Sequence, residues 1–276
     1  MPSPQPLIIK FGGELLEDPA RLAVVVAAMK SVAKAAPLAI IHGGGREIDV
    51  ALKTAGIEKR QVDGLRVTDD ATLDVVVSVL AGAVNTRLVA ALTTAGVRAV
   101  GLTGADGGCG LSDAAPPHRA VDGRSIDLGR VGIPSDRADT RLLTLLIEDG
   151  FVPVVACIGI GGDGRLFNVN ADTFAGHLAA RLGARRLVVA GTTAGVLDAS
   201  GATMGALEPA AIERLIHGGT ATAGMVAKLK ACEHALSHGV GDVVIVDGRD
   251  QAALEGAALG SPLTKATLIG HAYNAR

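Results

Sequence analysis

The stretch Pro37-Leu38-Ala39-Ile40-Ile41-His42-Gly43-Gly44-Gly45-Arg46 constrains the fold more than any other. An apolar run of strand length ends in three glycines. A helical pattern follows at once, with Ile48, Ala51 and Leu52 at i, i+3, i+4 and Glu47, Asp49 and Lys53 between them. Strand, glycine turn and helix start together put free backbone N–H groups and a positive dipole end at the strand's carboxyl end. Glycine suits that place because a Cβ would hold an anion away from the main chain. Ordinary turns between strand and helix use glycine too, so the rest of the chain must decide between an anion seat and a plain turn.

The chain's 276 residues suffice for one large or two small domains, and 49% hydrophobic against 20% charged residues predicts a sizeable core rather than disorder. Apolar runs such as Leu22–Met29 fall far short of a membrane span. Residues 1–6 carry no export pattern, so the expected compartment is the cytoplasm and no membrane partner is expected. Cys109, Cys157 and Cys232 are too scattered for a disulfide framework or a zinc knuckle. A net charge of −2 and a 2% aromatic content without Trp argue against nucleic acid as a partner.

Leu7–Phe11 reads as a strand ending in Gly12-Gly13, with Lys10 at its mouth. Lys10 either reaches solvent along its stem or aims a cation at phosphate beside glycines that let the backbone approach. Asp18-Pro19 starts a helix. Val62–Thr68 reads as a loop or short hairpin; Arg66 there is either a surface partner of Asp69-Asp70 or a planar fork for a carboxylate. Helical patterns cover Ala71–Gly82 and Val84–Ala95, and Ala99–Leu102 reads as a third parallel strand. Residues 103–141, rich in Gly, Asp, Pro and Arg, predict a β-hairpin excursion or lid. A helix over Thr140–Asp149 and a strand over Phe151–Ile158 follow.

Gly159-Ile160-Gly161-Gly162-Asp163-Gly164 matches G-x-G-x-x-G but leads into a strand pattern instead of a helix, so it reads as a turn. In Asn168-Val169-Asn170-Ala171-Asp172, polar side chains alternate with apolar ones up to a clean helix. An N-cap role alone would explain Asp172, but it leaves Asn168 and Asn170 unexplained. The second half repeats the α/β rhythm, with strands at Leu187–Ala190, Val243–Val246 and Ala266–Ile269. Between them come a helix over 209–217, a turn at Thr220–Met225 and a helix carrying Lys228 and Lys230. His234 and His238, four apart, read as a solvated helix face rather than a metal site. His42 is either packing or site wall.

No Walker motif, protein-kinase motif or G-x-S-x-G elbow occurs, and no Cys lies beside a base. Glycine turns at strand ends, isolated lysines and one Asp fit phosphoryl transfer, which needs positioning and positive charge more than covalent help.

Lys10-Phe11-Gly12-Gly13, His42-Gly43-Gly44-Gly45, Gly64-Leu65-Arg66-Val67-Thr68, Asn168-Val169-Asn170-Ala171-Asp172 and Gly224-Met225-Val226-Ala227-Lys228 occur in the order seen in N-acetylglutamate kinases. From about Leu7 to Ile269 the chain resembles that family, part of the amino acid kinase superfamily. The resemblance implies an α/β fold, a three-layer αβα sandwich on a mainly parallel central sheet. An N-terminal lobe (1–173) would bind the acyl-amino acid and dimerise, and a C-terminal lobe (174–276) would bind ATP on the same continuous sheet. The implied reaction phosphorylates the side-chain carboxylate of N-acetyl-L-glutamate, a step of arginine biosynthesis.

By the same resemblance, Lys10 and Lys228 neutralise the moving phosphoryl group from two sides and Asp172 holds both ammonium groups. Gly44 and Gly45 offer N–H groups to the substrate carboxylate and phosphoryl oxygens, and Arg66 and Asn168 clamp the substrate's other polar groups, with Asn170 beside them. Gly12, Gly13, Thr192, Gly195, Leu197 and Met225 fall to the nucleotide. Mg²⁺ is bound through the ATP phosphates, with no protein metal ligands. The acceptor carboxylate is already ionised at neutral pH, so no general base is required. Thr192, where the family often has Asp or Asn, and Ala227, where many members have Pro, depart from the pattern on the nucleotide side. Phe11 gives a string shared with aspartokinases, but Gly64–Thr68 fits the acetylglutamate enzymes better. With about six residues before the first strand, the chain is expected to form a homodimer insensitive to arginine. A sister kinase acting on N-acetyl-2-aminoadipate, or a non-catalytic nucleotide sensor on the same fold, remains open at this level.

Overall fold

A computed structural model describes residues 5–120, 123–198, 200–217, 223–261 and 265–270. Eight strands form the central sheet: β1 (Leu7–Phe11), β2 (Leu38–His42), β3 (Ala99–Thr103), β4 (Val152–Ala156), β5 (Arg186–Gly191), β6 (Ala206–Leu207), β7 (Asp242–Asp247) and β8 (Ala266–Ile269). Their spatial order is β6-β8-β7-β5-β1-β2-β4-β3. All neighbours run parallel except β7 and β8, which pair antiparallel. Strands covered on both faces read as continuous apolar runs. Every residue of β1, β2 and β4 is accordingly buried, Lys10 and His42 included.

Nine helices frame the sheet among the described residues: α1 (Pro19–Ala35), α2 (Gly45–Thr54), α3 (Asp70–Val77), α4 (Asn85–Thr94), α5 (Arg141–Glu148), α6 (Ala171–Arg181), α7 (Pro209–His217), α8 (Ala223–Ser237) and α9 (Gln251–Leu259). Helix α1 packs on α4 and α9, whereas α6 packs on α8, with β1 and β5 beneath it. This is the expected three-layer α/β architecture. One core runs through it, from Ile8 and Phe11 through Phe174 and Leu178 to Val244 and Ala257.

Local chemistry accounts for the ends of these elements. The Asp18 carboxylate accepts the N–H of Arg21 at 2.9 Å and Pro19 fills the first turn of α1. Asp69 caps α3 in the same way through Thr72 N–H, at 2.9 Å. The two helices expected over Ala71–Gly82 and Val84–Ala95 are instead one unbroken helix, because Ser78–Val84 winds as a π-helix joining α3 to α4. The joined helix is long and apolar enough, by length and composition, to cross a membrane, which the run lengths did not anticipate. In the fold it packs against α1, α2 and β4.

The excursion expected at 103–141 is tied into a second sheet. Ser112–Ala114 pairs antiparallel with Val131–Pro134, which lies parallel to Leu166–Val169; that strand completes an antiparallel pair with Ile158–Ile160. The G-x-G-x-x-G string therefore falls in a hairpin, as its strand-like sequel predicted. The expected turn at Thr220–Met225 lies partly outside the described residues. Of the remainder, Gly224 and Met225 are already in the first turn of α8.

Candidate active site

Parallel register sets Phe11 beside His42, so the glycine turns after β1 and β2 lie side by side. They touch: a Cβ on Gly13 would stand 2.6 Å from the Cα of Gly44. A Cβ on Gly44 would stand 2.7 Å from Leu80 of the π-helical segment. Both positions thus require glycine for packing as well as for access to the main chain. Helix α2 begins at Gly45, whose missing side chain leaves open space, so first-turn N–H groups face outward from the sheet edge.

Residues alternate across a strand, which turns Lys10 to the face that α6 covers. There its Nζ lies 2.8 Å from Asp172 Oδ1, and Lys228 Nζ from α8 lies 3.4 Å from Asp172 Oδ2. The carboxylate and Lys10 side chains are 8% and 6% exposed, Lys228 19%. Burial by itself would raise the Asp172 carboxyl, but attraction to Lys10 and then Lys228 outweighs it and holds the group below its ordinary range. Burial would likewise lower Lys10, yet Asp172 raises it above its ordinary value. Asp172 and Lys10 are therefore both charged at neutral pH. Helix contact fixes the spacing, since a Cβ on Gly176 of α6 would stand 2.8 Å from the Ala231 carbonyl oxygen of α8.

Beside this triad opens a cavity of about 210 Å³, lined by Gly43, Gly44 and Gly45, by Arg66, and by Asn168 and Asn170. The residues expected to hold substrate are thus brought together. Arg66 does not pair with Asp69 or Asp70, which bind Arg60 and Arg130. It pairs with Asp49 on α2, and its Nη1, buried, has no hydrogen-bond partner among the described residues. Asn168 donates to the Thr68 hydroxyl at 3.1 Å. Asn170, not Asp172, is the N-cap of α6, its Oδ1 accepting from the N–H groups of Asp172 and Thr173. Capping therefore explains the residue it was thought to leave out, and frees Asp172 for the lysines.

Sequence reasoning missed three contributors. Gln61 and Leu65, from the hairpin Gln61–Val62/Leu65–Arg66, line the cavity. Asn85 is buried and donates through Nδ2 to His42 Nε2 at 3.0 Å and to the Val154 carbonyl at 2.8 Å. This settles His42 as packing: its Nε2 is an acceptor, and burial pushes its pKa down to about 4, so it is neutral. Cys157 also borders the cavity; burial pushes its thiol up to about 12, which leaves it un-ionised.

The residues expected to meet the nucleotide are more dispersed. Gly12 follows β1 and donates to the Ala190 carbonyl of β5 at 3.1 Å. Thr192 follows β5 directly, on the same edge of the sheet as the glycine turns. Gly195, at φ +104°, is pressed against Thr267 of β8, where any side chain would collide. Leu197 is 47% exposed, and Met225 packs partly on the core. None of these five residues borders the cavity that Arg66 lines. His234 is not a plain solvated face: it is half-buried and stacks on His177 of α6, with ring centroids 6.2 Å apart.

Residues 5–247 match the profile of the amino acid kinase family. The acetylglutamate kinase of Novosphingobium aromaticivorans is 42% identical over 253 residues, covering 88% of this chain and 83% of its own. The acetylglutamate kinase of Methanopyrus kandleri is 43% identical over 243 residues, covering 87% and 94%. Among solved structures, N-acetylglutamate synthase from Neisseria gonorrhoeae, complexed with coenzyme A and N-acetyl-glutamate, superposes with a TM-score of 0.83 at 24% identity. That match covers 97% of this chain and 60% of the other, and carries a likeness of fold alone.

Proposed function

The chain belongs to the amino acid kinase family, and on that premise we propose how its residues phosphorylate acetylglutamate. It is an ATP-dependent phosphotransferase acting on acetylglutamate, within arginine biosynthesis. In our reading the γ-phosphoryl group of MgATP passes to the side-chain carboxylate of N-acetyl-L-glutamate, giving N-acetyl-L-glutamyl 5-phosphate and ADP.

One observation carries this reading: two ammonium groups from opposite ends of the chain meet on one buried carboxylate, 2.8 and 3.4 Å away, beside a glycine-walled cavity. Charge develops on the equatorial oxygens of the transferring group, and fixed donors aimed there lower the barrier. Lys10 and Lys228 flank that group, and Asp172 keeps their Nζ atoms at a set separation. The main-chain N–H groups of Gly44 and Gly45 receive the acceptor carboxylate and the phosphoryl oxygens, while Gly13 serves the nucleotide's phosphates. The unpartnered Nη1 of Arg66 and the amide of Asn168 take the substrate's other polar groups. Being ionised already, the acceptor needs no base.

Mg²⁺ is written here as part of the nucleotide substrate. In our reading the nucleotide's own phosphates hold the ion. We assign 1–173 to the acyl-amino acid and 174–276 to ATP. That boundary falls inside α6, and one sheet runs beneath both parts. We place the enzyme in the cytoplasm, where its three free, buried cysteines are at home. The reading is tested by ADP release and hydroxamate trapping of the acyl phosphate with N-acetyl-L-glutamate, N-acetyl-2-aminoadipate and unacylated glutamate. Turnover with N-acetyl-L-glutamate at the highest kcat/KM is expected; equal or faster turnover of another acceptor overturns the substrate assignment.

A further inference from the structure

Glu14 lies in the first turn after Gly12-Gly13, within the short 3-10 helix Gly13–Leu15, and has no part in the mechanism above. Its side chain folds back over the main chain of Gly12. A Cβ built on Gly12 would collide with both Glu14 carboxylate oxygens. A Cβ on Gly191, at the end of β5, would lie 3.2 Å from Glu14 Oε1 and 4.0 Å from Lys228 Cε. Alternation along β1 turns Gly12 to the same face as Lys10. Parallel pairing of Lys10 with Val189 and Phe11 with Ala190 brings Gly191 level with Gly12. The Glu14 carboxylate therefore occupies the hollow between two side-chain-free strand ends, on the side of Gly191 to which the Lys228 stem also comes, and its charge acts on Lys10.

The charges require such a group. Lys10 and Lys228 bring two positive charges into a largely buried site, and Asp172 balances one of them. An unbalanced charge there is costly. Glu14 makes the site neutral while no nucleotide is bound. When phosphates arrive they supply that balance themselves, and a carboxylate in the same hollow becomes a repelling neighbour. Glu14 can then leave at little cost, since its side chain is only partly buried and its own turn is held by Arg21 Nη1 donating to the Glu14 carbonyl at 3.0 Å.

We propose that Glu14 is an internal stand-in for nucleotide phosphate: it neutralises the lysine pair in the free enzyme, and ATP must displace its carboxylate to bind. This rests on the reading of Gly12 and Gly13 as the nucleotide's phosphate seat. It makes Glu14 a determinant of nucleotide affinity that opposes binding, unlike any residue the reaction itself needs.

Calorimetric titration of the full chain with AMP-PNP, a non-hydrolysable ATP analogue, tests it. The titrations use wild type, E14Q, E14A and K228A, each with and without Mg²⁺. E14Q, which keeps the shape and loses the charge, is expected to bind about three- to tenfold more tightly, the effect of one partly screened unit charge close to the phosphates. The gain should appear with and without Mg²⁺, recur in E14A, and shrink as salt is raised. Weaker binding by E14Q confined to the Mg²⁺ titrations would mean that the carboxylate serves the metal, and overturns the proposal. Unchanged binding by E14Q while K228A binds more weakly leaves the phosphate seat standing and removes Glu14 from it. Unchanged binding by K228A as well would dismiss the seat, and the stand-in with it.

Discussion

Asp172 is the residue on which both lysines depend. Replacing it with Asn keeps the shape and removes the charge. The two ammonium groups then repel each other, and the buried Lys10 loses the carboxylate charge 2.8 Å from it. D172N is expected to lose about 10²- to 10³-fold in kcat, the scale of one lost electrostatic element. It should also lose stability, on the order of 3 kcal/mol for a broken buried pair. ADP release and denaturant titration measure the two separately; a variant with near-normal kcat would remove Asp172 from the mechanism. The same pair fixes part of the pH response. Asp172 titrates below its ordinary 3.8 in the fold, so its contribution is present above about that pH and is lost as pH falls through the depressed value. Lys10 titrates above 10.5, so its contribution is present below that pH and lost as pH rises through the raised value. Between these limits the pair is constant. Acid sensitivity near neutrality should come from His42 and His177, each held by burial at about 4 in the fold against 6.5 ordinarily. The unfolded chain takes up those protons first, so stability falls from pH 6.5 toward 4, by on the order of 3 kcal/mol for His42. Denaturation midpoints across that range should show the slope, and H42Q, which cannot ionise at that position, should make it shallower and leave the share of His177, even if less stable at pH 7.

At the scale of elements, the contact between α6 and α8 sets the distance between Asp172 and Lys228. Gly176→Ala would push a methyl against the Ala231 carbonyl, 2.8 Å away. The backbone cannot yield as a side chain can, so the helices part by a fraction of an ångström. We expect a kcat loss of about tenfold or more, because small misplacements of reacting groups are costly. KM for acetylglutamate should stay near normal, since the cavity is lined by Asn170 and Ala171 at the start of α6 and not by Gly176 or Ala231. Stability should fall by roughly 1–3 kcal/mol, and an unchanged kcat would show that the spacing is set elsewhere. These elements also mark how far the sequence could be read. Strand β1 and the glycine turns were legible because an apolar run that closes on glycines marks a strand end; that Lys10 faces a site and not solvent was settled only by the packing of α6 over it. The roles in Asn170-Ala171-Asp172 were not, because both polar residues are good caps two positions apart and only geometry chooses Asn170. Asn85 was invisible for another reason. It lies where Ser78–Val84 widens into a π-helix, and no periodicity count separates that register from two ordinary helices. Its partners, His42 and Val154, are on strands far away in the chain. Glu14 hid in the same way, since an acid just after a glycine pair reads as an ordinary helix start.

For the whole molecule, one sheet runs beneath both of the substrate regions we propose, so β1 and β5 cannot part without breaking the hydrogen bonds between Leu7–Phe11 and Arg186–Ala190. Approach of the two substrates is then left to side chains and to the loops at the strand ends. The joined helix α3–α4, apolar yet only 39% buried over its most apolar window, leaves surface for a second copy of the chain. We predict a homodimer by analytical ultracentrifugation, with activity unaffected by arginine; a hexamer, or inhibition by arginine, would refute this. The position of β1 has one more consequence. It leaves the ribosome long before β5 does, yet it ends at the sheet's centre, between β2 and β5. Its second neighbour, Arg186–Gly191, emerges only after most of the chain has been translated, roughly ten seconds or more at usual synthesis rates. Throughout that interval the nascent polypeptide carries an unpaired edge, apolar but for Lys10, the kind of surface that chaperones bind and that misassembles when they are scarce.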